Sequence, residues 1–351
     1  MSISACFPTS FLLVLMLTTI ANGQPLIPAL FIFGDSIVDV GNNNYLKTIV
    51  KANFLPYGRD FNNTPTGRFC NGKLATDFTA ENLGFATSPL PYLTIKKGNG
   101  TIPLTGANFA SGSSGYDTDT PKLYHTLPLG EQLEYYKEYQ QKLSALVGQS
   151  NASSIISESI YLISAGNSDF VQLYYIDPFL NKLYSTDQFS DSLLASYAQF
   201  VKDLYRLGAR RIGVTTLAPL GCLPTVITLF GEGIQDCIQE MNQVAVSFNN
   251  KLNSSSQDLQ NSLNGLKLVI LDIYNPLYKL IKNPSDNGFV EARRACCGTG
   301  LVETAILCNP KSPGTCRNAS QYIFWDGFHP TQAANKILAD ELIASGISLI
   351  S

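Results

Sequence analysis

Histidine is scarce in this sequence: only His125 and His329 occur among its 351 residues. They lie far apart in the chain, and no two cysteines have the Cys-x-x-Cys spacing, so the pattern does not favour a zinc site. No glycine motif typical of dinucleotide or phosphate binding follows any apolar run. We therefore expect neither a metal nor a cofactor.

An excess of basic residues is also missing. The chain has 24 Lys and Arg against 27 Asp and Glu, which gives a formal net charge of −3. Nucleic-acid binding needs a basic footprint, so we expect no nucleic-acid partner. Because 45% of the residues are hydrophobic and only 15% are charged, the composition predicts a folded chain with a large core. No linker-like stretch divides it, which favours one domain.

Long apolar runs are limited to one, at residues 11–20, followed by the small-x-small pattern Ala21-Asn22-Gly23. This run is too short to span a bilayer, which needs about 20 apolar residues. It lacks the usual Lys or Arg in front, but its length and its cleavage pattern indicate a signal peptide over residues 1–23. We expect residues 24–351 to form a single secreted domain with no integral membrane segment.

Cysteine usage fits secretion. Cys6 falls in the predicted signal peptide, and six of the other seven cysteines are expected to pair in an oxidising compartment. Spacing does not settle the pairing; taking neighbours in sequence, we predict a Cys222–Cys237 bridge, a second knot among the last four cysteines and a free Cys70. Those four are Cys296, Cys297, Cys308 and Cys316. Five sequons are potential glycan acceptors in a secreted protein: Asn62, Asn99, Asn151, Asn253 and Asn318.

Strand and helix patterns alternate along the chain. Buried-strand patterns occupy residues 29–33, 159–164, 211–216 and 266–273, and a short strand enters the glycine-rich segment 106–115. Helical patterns occupy residues 71–83, 130–147, 194–204 with Gly208 as C-cap, 241–252, and a stripe from 334 to 342 for which Pro330 suits the first turn. The alternation predicts an α/β three-layer sandwich with a mainly parallel sheet of about five strands.

Polar residues follow two of these strands where ligand sites of parallel sheets lie. The first strand ends in Gly34-Asp35-Ser36, and the strand at 159–164 ends in Gly166-Asn167-Ser168-Asp169. Ser36 is placed as a nucleophile would be, and Asn167 could donate an N–H to a developing negative charge. Each motif alone has a plainer interpretation, because glycine, serine and asparagine are also ordinary turn residues.

The histidine shortage makes His329 the clear candidate for a general base. Asp326 and His329 lie three residues apart across Gly327, just before the last helical stripe, so the carboxylate can bond one ring nitrogen and leave the other for a substrate. His125 lies in a proline-rich loop without an acid at a useful spacing. The alternative role for His329 is helix capping or packing.

With these motifs in their order along the chain, the sequence resembles the GDSL esterase/lipase family of SGNH hydrolases, and specifically its plant secreted branch. The opening block 33–44 matches very closely, and segments 65–69, 71–73, 220–224 and 296–298 also resemble that branch. Cys70 departs from the serine expected at its position. No Gly-x-Ser-x-Gly elbow occurs, which disfavours an α/β-hydrolase.

The resemblance implies a flavodoxin-like SGNH hydrolase fold and a role for each matching residue. Ser36 would be the nucleophile, His329 the general base and acid, and Asp326 its orienting carboxylate. The backbone N–H groups of Ser36 and Gly112 and the side chain of Asn167 would form the oxyanion hole.

The predicted function is a secreted serine ester hydrolase, and the resemblance places it in the cell wall or apoplast. Two alternatives remain open: a transacylase that passes the acyl group to an alcohol, and a silent binding or storage protein. Lipid esters, cutin-like polyesters, acetylated polysaccharide and small-molecule esters all fit as substrates. Apolar residues near the site could line an acyl pocket or belong to the core. We expect a monomer.

Overall fold

A five-stranded, all-parallel sheet lies at the centre of the computed structural model, which describes residues 24–98, 100–233 and 236–350. The strands are β1 (Leu30–Gly34), β2 (Gly106–Asn108), β3 (Ile160–Ser164), β4 (Arg211–Thr215) and β5 (Lys267–Leu271). Their order is β2-β1-β3-β4-β5, which is the flavodoxin-like arrangement. The predicted fold class is therefore confirmed.

Strands β1 and β3 are buried along their whole length. Parallel strands with helices on both faces read as continuous apolar runs, which explains why the sequence showed them clearly. Aromatic side chains fill the space beneath them: the Phe31 ring lies within 5.2 Å of the rings of Tyr136, Tyr139 and Tyr161. The core thus holds rigidly the two strands whose ends carry the candidate site residues.

Helices flank the sheet. Within the described residues the α-helices are α1 (Ala75–Asn82), α2 (Tyr92–Lys97), α3 (Asp119–Tyr124), α4 (Leu129–Val147), α5 (Gln149–Glu158), α6 (Leu180–Leu183), α7 (Thr186–Arg206), α8 (Pro224–Phe230), α9 (Gln239–Ser262), α10 (Tyr274–Lys282) and α11 (Gln332–Gly346). Helix α11 packs on α1 and β5, α7 packs on α9, and α4 packs on β1. A π-helix, Asp169–Tyr174, follows the end of β3.

The starts of the first and last predicted helices differ from the sequence expectation, and α7 and α9 extend beyond their predicted stretches. The helix predicted over 71–83 begins only at Ala75, because Asn71 bonds to Asp60 and to the N–H of Gln332 instead. Pro330 precedes the last helix rather than standing in its first turn; Thr331 is the N-cap, and its hydroxyl accepts the N–H of Ala334. Gly208 follows α7 at a φ of 104°, as a C-terminal glycine should.

The cysteine prediction is confirmed. Disulfides join Cys222 to Cys237, Cys296 to Cys316, and Cys297 to Cys308, and Cys70 is free and buried. The predicted signal peptide and the sequon at Asn99 lie outside the described residues. None of the helices that the structure does describe is both long and apolar enough to cross a membrane.

Candidate active site

Ser36 and His329 meet at the carboxyl edge of the sheet, although 293 residues separate them in the chain. The Ser36 Oγ lies 2.7 Å from His329 Nε2, and both side chains are almost fully buried. Ser36 follows the end of β1, whereas His329 stands in the turn before α11. The end of β1 and the turn before the last helix therefore bring together two residues that the sequence predicted to act together.

Asp326 fixes the imidazole through a compact turn. Its Oδ1 accepts the backbone N–H of Phe328 at 3.0 Å and of His329 at 2.9 Å, and it lies 2.7 Å from His329 Nδ1. An ionised carboxylate can only accept, so Nδ1 carries the ring proton and Nε2 is left as an acceptor. That nitrogen faces the Ser36 hydroxyl. The arrangement is that of a nucleophile, a base and an orienting acid.

Gly34 ends β1 two residues before Ser36, in a backbone conformation that favours glycine. Its φ is 135°, and a Cβ built there would lie only 1.8 Å from the carbonyl oxygen of Ser164 on β3. The side chain of Gln132 on α4 braces the same peptide, because its Oε1 accepts the Gly34 N–H and its Nε2 donates to the Gly34 carbonyl, both at 2.9 Å. Sequence reasoning missed Gln132, which lies 98 residues away and belongs to no motif.

Asp35 stands beside the nucleophile, and its hydrogen bond goes to the backbone of the turn rather than to the imidazole. Its Oδ1 accepts the N–H of Ile37 at 3.0 Å, which fixes the turn, and its Oδ2 has no hydrogen-bond partner among the described residues. Burial raises the pKa of this carboxyl from 3.8 to about 7. The folded protein therefore holds a proton that the unfolded chain releases at a lower pH.

Asp35→Asn should make the stability of the protein less sensitive to pH. Because folding raises the pKa of Asp35, the protonated carboxyl adds to the stability of the folded protein below pH 3.8, the pKa in the unfolded chain. This added stability is lost as the pH rises through about 7, the pKa in the folded protein. When the pH is raised from about 4 to about 8, we expect the free energy of unfolding of the variant to rise by on the order of 2–4 kcal/mol relative to that of the native protein. Urea unfolding at both pH values measures this gain. An equal difference at the two pH values would contradict a buried, proton-binding Asp35.

Asn167 presents an amide N–H group to the site. Its Oδ1 accepts the N–H of Ala218 at 3.0 Å, which fixes the orientation of the amide. The buried Nδ2 makes no hydrogen bond of ordinary geometry within the described residues but interacts with the Asp35 carboxyl, and Asn167 lines a small cavity of about 20 Å³ together with Ser36 and His329. The predicted donor is thus adjacent to the nucleophile.

Gly112 does not offer the donor that the family resemblance implied. Its N–H donates to Asp39 Oδ2 at 3.0 Å, and the other oxygen of Asp39 accepts the N–H groups of Gly41 and Asn42. The next residue, Ser113, has a φ of 59° and lines the same cleft as Ser36. Its N–H donates to none of the described residues. The Gly112 N–H is therefore engaged by Asp39, whereas the neighbouring Ser113 N–H has no partner among the described residues.

A glycine is nevertheless required at position 112. A Cβ there would come within 2.9 Å of the Phe69 ring and 2.8 Å of Asn43 Nδ2. Phe69 in turn packs against the His329 ring, with the ring centroids 5.1 Å apart. Because residue 112 has no side chain, its loop can lie close to the Phe69 ring that packs against the imidazole.

Tyr57 is a further residue that the sequence did not single out. It lies outside every strand and helix that the sequence predicts, yet its side chain is fully buried. Its hydroxyl lies 2.7 Å from Asp326 Oδ2, the oxygen that the imidazole does not use. No motif pointed to this contact, because the two residues lie 269 positions apart.

A cleft of about 540 Å³ opens beside Ser36 and His329. Its walls are mostly apolar and come from separate segments; they include Ile49, Val171, Ile176, Val226, Leu229 and Phe230. Among the described residues that line the cleft, none is Asp, Glu, Lys or Arg. The apolar residues near the site therefore line a cavity and are not simply core.

Comparison with known proteins gives one family. The family model for the GDSL-like lipase/acylhydrolase matches residues 30–342. Two GDSL esterase/lipases of Arabidopsis thaliana are 62% and 59% identical to the chain, covering 96% and 95% of it and 94% of each relative. A solved acetyl xylan esterase from Geobacillus stearothermophilus covers 91% of this chain and 96% of its own, with 12% identity and a TM-score of 0.40. A likeness that low carries no argument about function.

Proposed function

The chain belongs to the GDSL-like lipase/acylhydrolase family and is a carboxylic ester hydrolase, and from this premise we propose that it works through an acyl-enzyme on Ser36. The observation that carries the proposal is the continuous hydrogen-bonded chain from Ser36 Oγ to His329 and from His329 to Asp326, with both contacts at 2.7 Å. A protein that only binds or stores a ligand has no need of such a chain, so we set the silent alternative aside.

In the first half of the reaction, Ser36 Oγ attacks the ester carbonyl carbon while His329 Nε2 takes the hydroxyl proton. The carbonyl oxygen becomes negative, and the Asn167 amide with the N–H groups of Ser36 and Ser113 would stabilise it. One such preorganised donor typically contributes about 3–4 kcal/mol to lowering the barrier. The intermediate collapses when the imidazolium gives its proton to the departing alcohol oxygen, which leaves the acyl group on Ser36.

In the second half, water repeats the attack in the opposite direction. His329 removes a proton from the water as the oxygen attacks the acyl carbon, and then returns the proton to Ser36 Oγ as the acid leaves. Throughout, Asp326 keeps the proton of the ring on Nδ1 and stabilises the imidazolium that forms twice in each cycle.

We further propose that the substrate carries an uncharged, apolar acyl or alcohol chain. The cleft beside Ser36 has no charged lining residue among those described, and exposed apolar side chains stand at its rim, with Ile49 64%, Leu229 55% and Leu307 56% exposed. Apolar surface of this kind gains affinity from buried methylenes, at about 0.8 kcal/mol each. This favours lipid-like or polyester substrates over acetylated polysaccharide, whose hydroxyl groups would find few partners there.

A panel of p-nitrophenyl esters tests both the activity and the cleft. We expect kcat/KM to rise from the acetate to the octanoate or decanoate ester, because longer chains fill more of the cavity. Adding a candidate alcohol acceptor and measuring new ester separates hydrolysis from acyl transfer. The absence of turnover with every ester would contradict the proposed function, whereas a preference for acetate would contradict only the apolar substrate.

Leu229→Asp should weaken the use of long esters selectively. The change puts a charge at the rim of the cleft, on an exposed position of α8 that the fold does not depend on. We expect kcat/KM to fall about 10-fold for the decanoate ester and less than about 2-fold for the acetate. Leu146→Asp is the matched control, since Leu146 is 57% exposed on α4 and does not line the cleft. Equal losses for both esters would contradict the acyl site.

We also propose that the mature protein is a single extracellular domain that begins at Gln24. The three disulfides are typical of an oxidising compartment. The four sequon asparagines that the structure describes are all exposed, as a glycan acceptor must be: Asn62, Asn151, Asn253 and Asn318. N-terminal sequencing of the secreted protein checks the cleavage, and a sequence that starts at Met1 would refute it.

A further inference from the structure

The hydroxyl of Tyr57 bridges the acid of the candidate triad and the wall of the cleft. On one side it lies 2.7 Å from Asp326 Oδ2, and on the other it lies 2.8 Å from the backbone nitrogen of Ala305. The Tyr57 side chain has no exposed surface. Water therefore does not compete for either contact, and the hydroxyl must satisfy both partners.

The direction of these two hydrogen bonds follows from their chemistry. The Ala305 N–H can only donate, so the tyrosine oxygen accepts from it. The single hydroxyl proton is then left for Asp326, whose carboxylate can only accept. Burial, together with the charge of Asp326, raises the pKa of Tyr57 far above its ordinary value of 10.0, so the hydroxyl keeps this proton at every working pH.

Tyr57 therefore supplies the partner that Asp326 Oδ2 would otherwise lack. The other oxygen, Oδ1, is used by His329 and by the turn. A buried carboxylate oxygen without a donor is strongly disfavoured, and a carboxylate held at one oxygen only can rotate about its Cβ–Cγ bond. With both oxygens engaged, the plane of the carboxylate stays aligned with the imidazole Nδ1–H.

The tyrosine ring is itself held tightly. Phe54, Phe69 and Trp325 contact it edge to face, with ring centroids 5.9, 6.1 and 6.2 Å away. Phe69 also packs on the His329 ring. One aromatic cluster thus fixes both the tyrosine that holds the acid and the imidazole that the acid orients.

The second hydrogen bond ties this cluster to the cleft. Ala305 has a φ of 49°, and it lines the cleft together with Ile306 and Leu307. Cys308 follows directly and is bridged to Cys297, which anchors the same segment. The position of the cleft wall and the orientation of the acid therefore depend on the same hydroxyl group.

We propose that Tyr57 is a positioning residue for the ester hydrolysis: its hydroxyl holds the Asp326 carboxylate in the plane of the His329 ring and fixes the Ala305 segment of the cleft against it. This inference rests on the proposed function. Donation from Tyr57 draws negative charge from the carboxylate, which weakens its pull on the imidazolium. The hydroxyl thus sets both the geometry and the charge of the acid that His329 experiences.

Tyr57→Phe tests the proposal, because it removes one oxygen and keeps the ring contacts. We expect kcat for a short p-nitrophenyl ester to fall about 10-fold, as for the loss of one charge-assisted hydrogen bond. We also expect the acid limb of the kcat/KM profile to move to higher pH by about half a unit, because the carboxylate left with more charge favours the imidazolium. A structural role alone would not move that limb.

Tyr139→Phe is the matched control. Tyr139 is equally buried, and its hydroxyl donates to the carbonyl of Pro103, away from the site. We expect it to lose stability like Tyr57→Phe in a thermal melt and to keep the native pH profile. If Tyr57→Phe melts near the assay temperature, both variants are assayed at a lower temperature, where the melts show them folded.

A double variant separates this inference from the proposed function. If Tyr57 acts through Asp326, Tyr57→Phe should have almost no further effect in an Asp326→Asn background. Additive losses, or a single variant with native kcat and a native pH profile, would overturn the positioning role. Neither result would affect the acyl-enzyme mechanism, which depends on Ser36.

Discussion

Ser36→Ala is expected to lower kcat on p-nitrophenyl esters by on the order of 10⁶-fold, to a rate that only binding and the oxyanion donors sustain. The reason is that no other hydroxyl lies within reach of His329 Nε2 in the described structure. The change removes one buried oxygen, so the fold should be retained. Initial rates measured at equal protein concentrations, determined by absorbance, give the ratio directly.

Ser190→Ala is a suitable control for that experiment. Ser190 is also buried, and its hydroxyl donates to the Thr186 carbonyl within α7, away from the site. We expect native activity from it. If Ser36→Ala kept more than about one per cent of the native kcat, the nucleophile would have to be another group, since a triad without its serine loses nearly all turnover.

Asp326→Asn should be the second most damaging change, with a loss in kcat of roughly 10⁴-fold. With the amide oxygen in the Oδ1 position, an asparagine keeps the hydrogen bonds of the turn but supplies no negative charge to stabilise the imidazolium. With the amide N–H₂ in that position instead, it donates to Nδ1, which places the ring proton on Nε2. In that tautomer the imidazole cannot accept the proton of Ser36.

The measurement that isolates this effect is a comparison with Ser36→Ala. Because the two residues act as one unit, the double variant should be no slower than Ser36→Ala alone. A loss smaller than about 10-fold in Asp326→Asn would show that the carboxylate is not the orienting acid, since an incorrect tautomer alone removes several orders of magnitude.

The centre of the sheet was predictable because β1 and β3 are buried on both faces. Strands β1 and β3 have no polar residue before their last position, so their sequences differ sharply from the helices around them. The helix ends were harder to predict from the sequence. Helix α1 starts later than expected because Asn71 contacts Asp60 and Gln332, and only the tertiary structure shows these contacts.

The triad residues were predictable for a different reason. Only two histidines exist, one of them has an acid three residues before it, and Ser36 follows a strand at a glycine. Because the chain has so few histidines, the candidate base could be identified without knowing the three-dimensional structure. The pairing of Ser36 with His329 across 293 residues brings the end of β1 against the turn before α11, and it was expected once the family resemblance had been seen.

The supporting contacts could not be predicted, because each depends on residues remote in sequence. Gln132 braces Gly34 from α4, and Tyr57 reaches Asp326 from a loop. Gly112 was expected to be a donor, yet Asp39 occupies its N–H and leaves that of Ser113 available. A motif identifies which residue types are present, but which backbone N–H groups are already hydrogen-bonded can be seen only in the three-dimensional structure.

The account depends most directly on a covalent bond between Ser36 and the acyl group. Rapid acid quench after mixing the enzyme with excess p-nitrophenyl octanoate, followed by mass spectrometry of the peptides, measures it. We expect an octanoyl adduct on the peptide that carries Ser36, formed in the burst phase and missing from Ser36→Ala. Full turnover with no adduct on that peptide, or an adduct on a different residue, would contradict the mechanism.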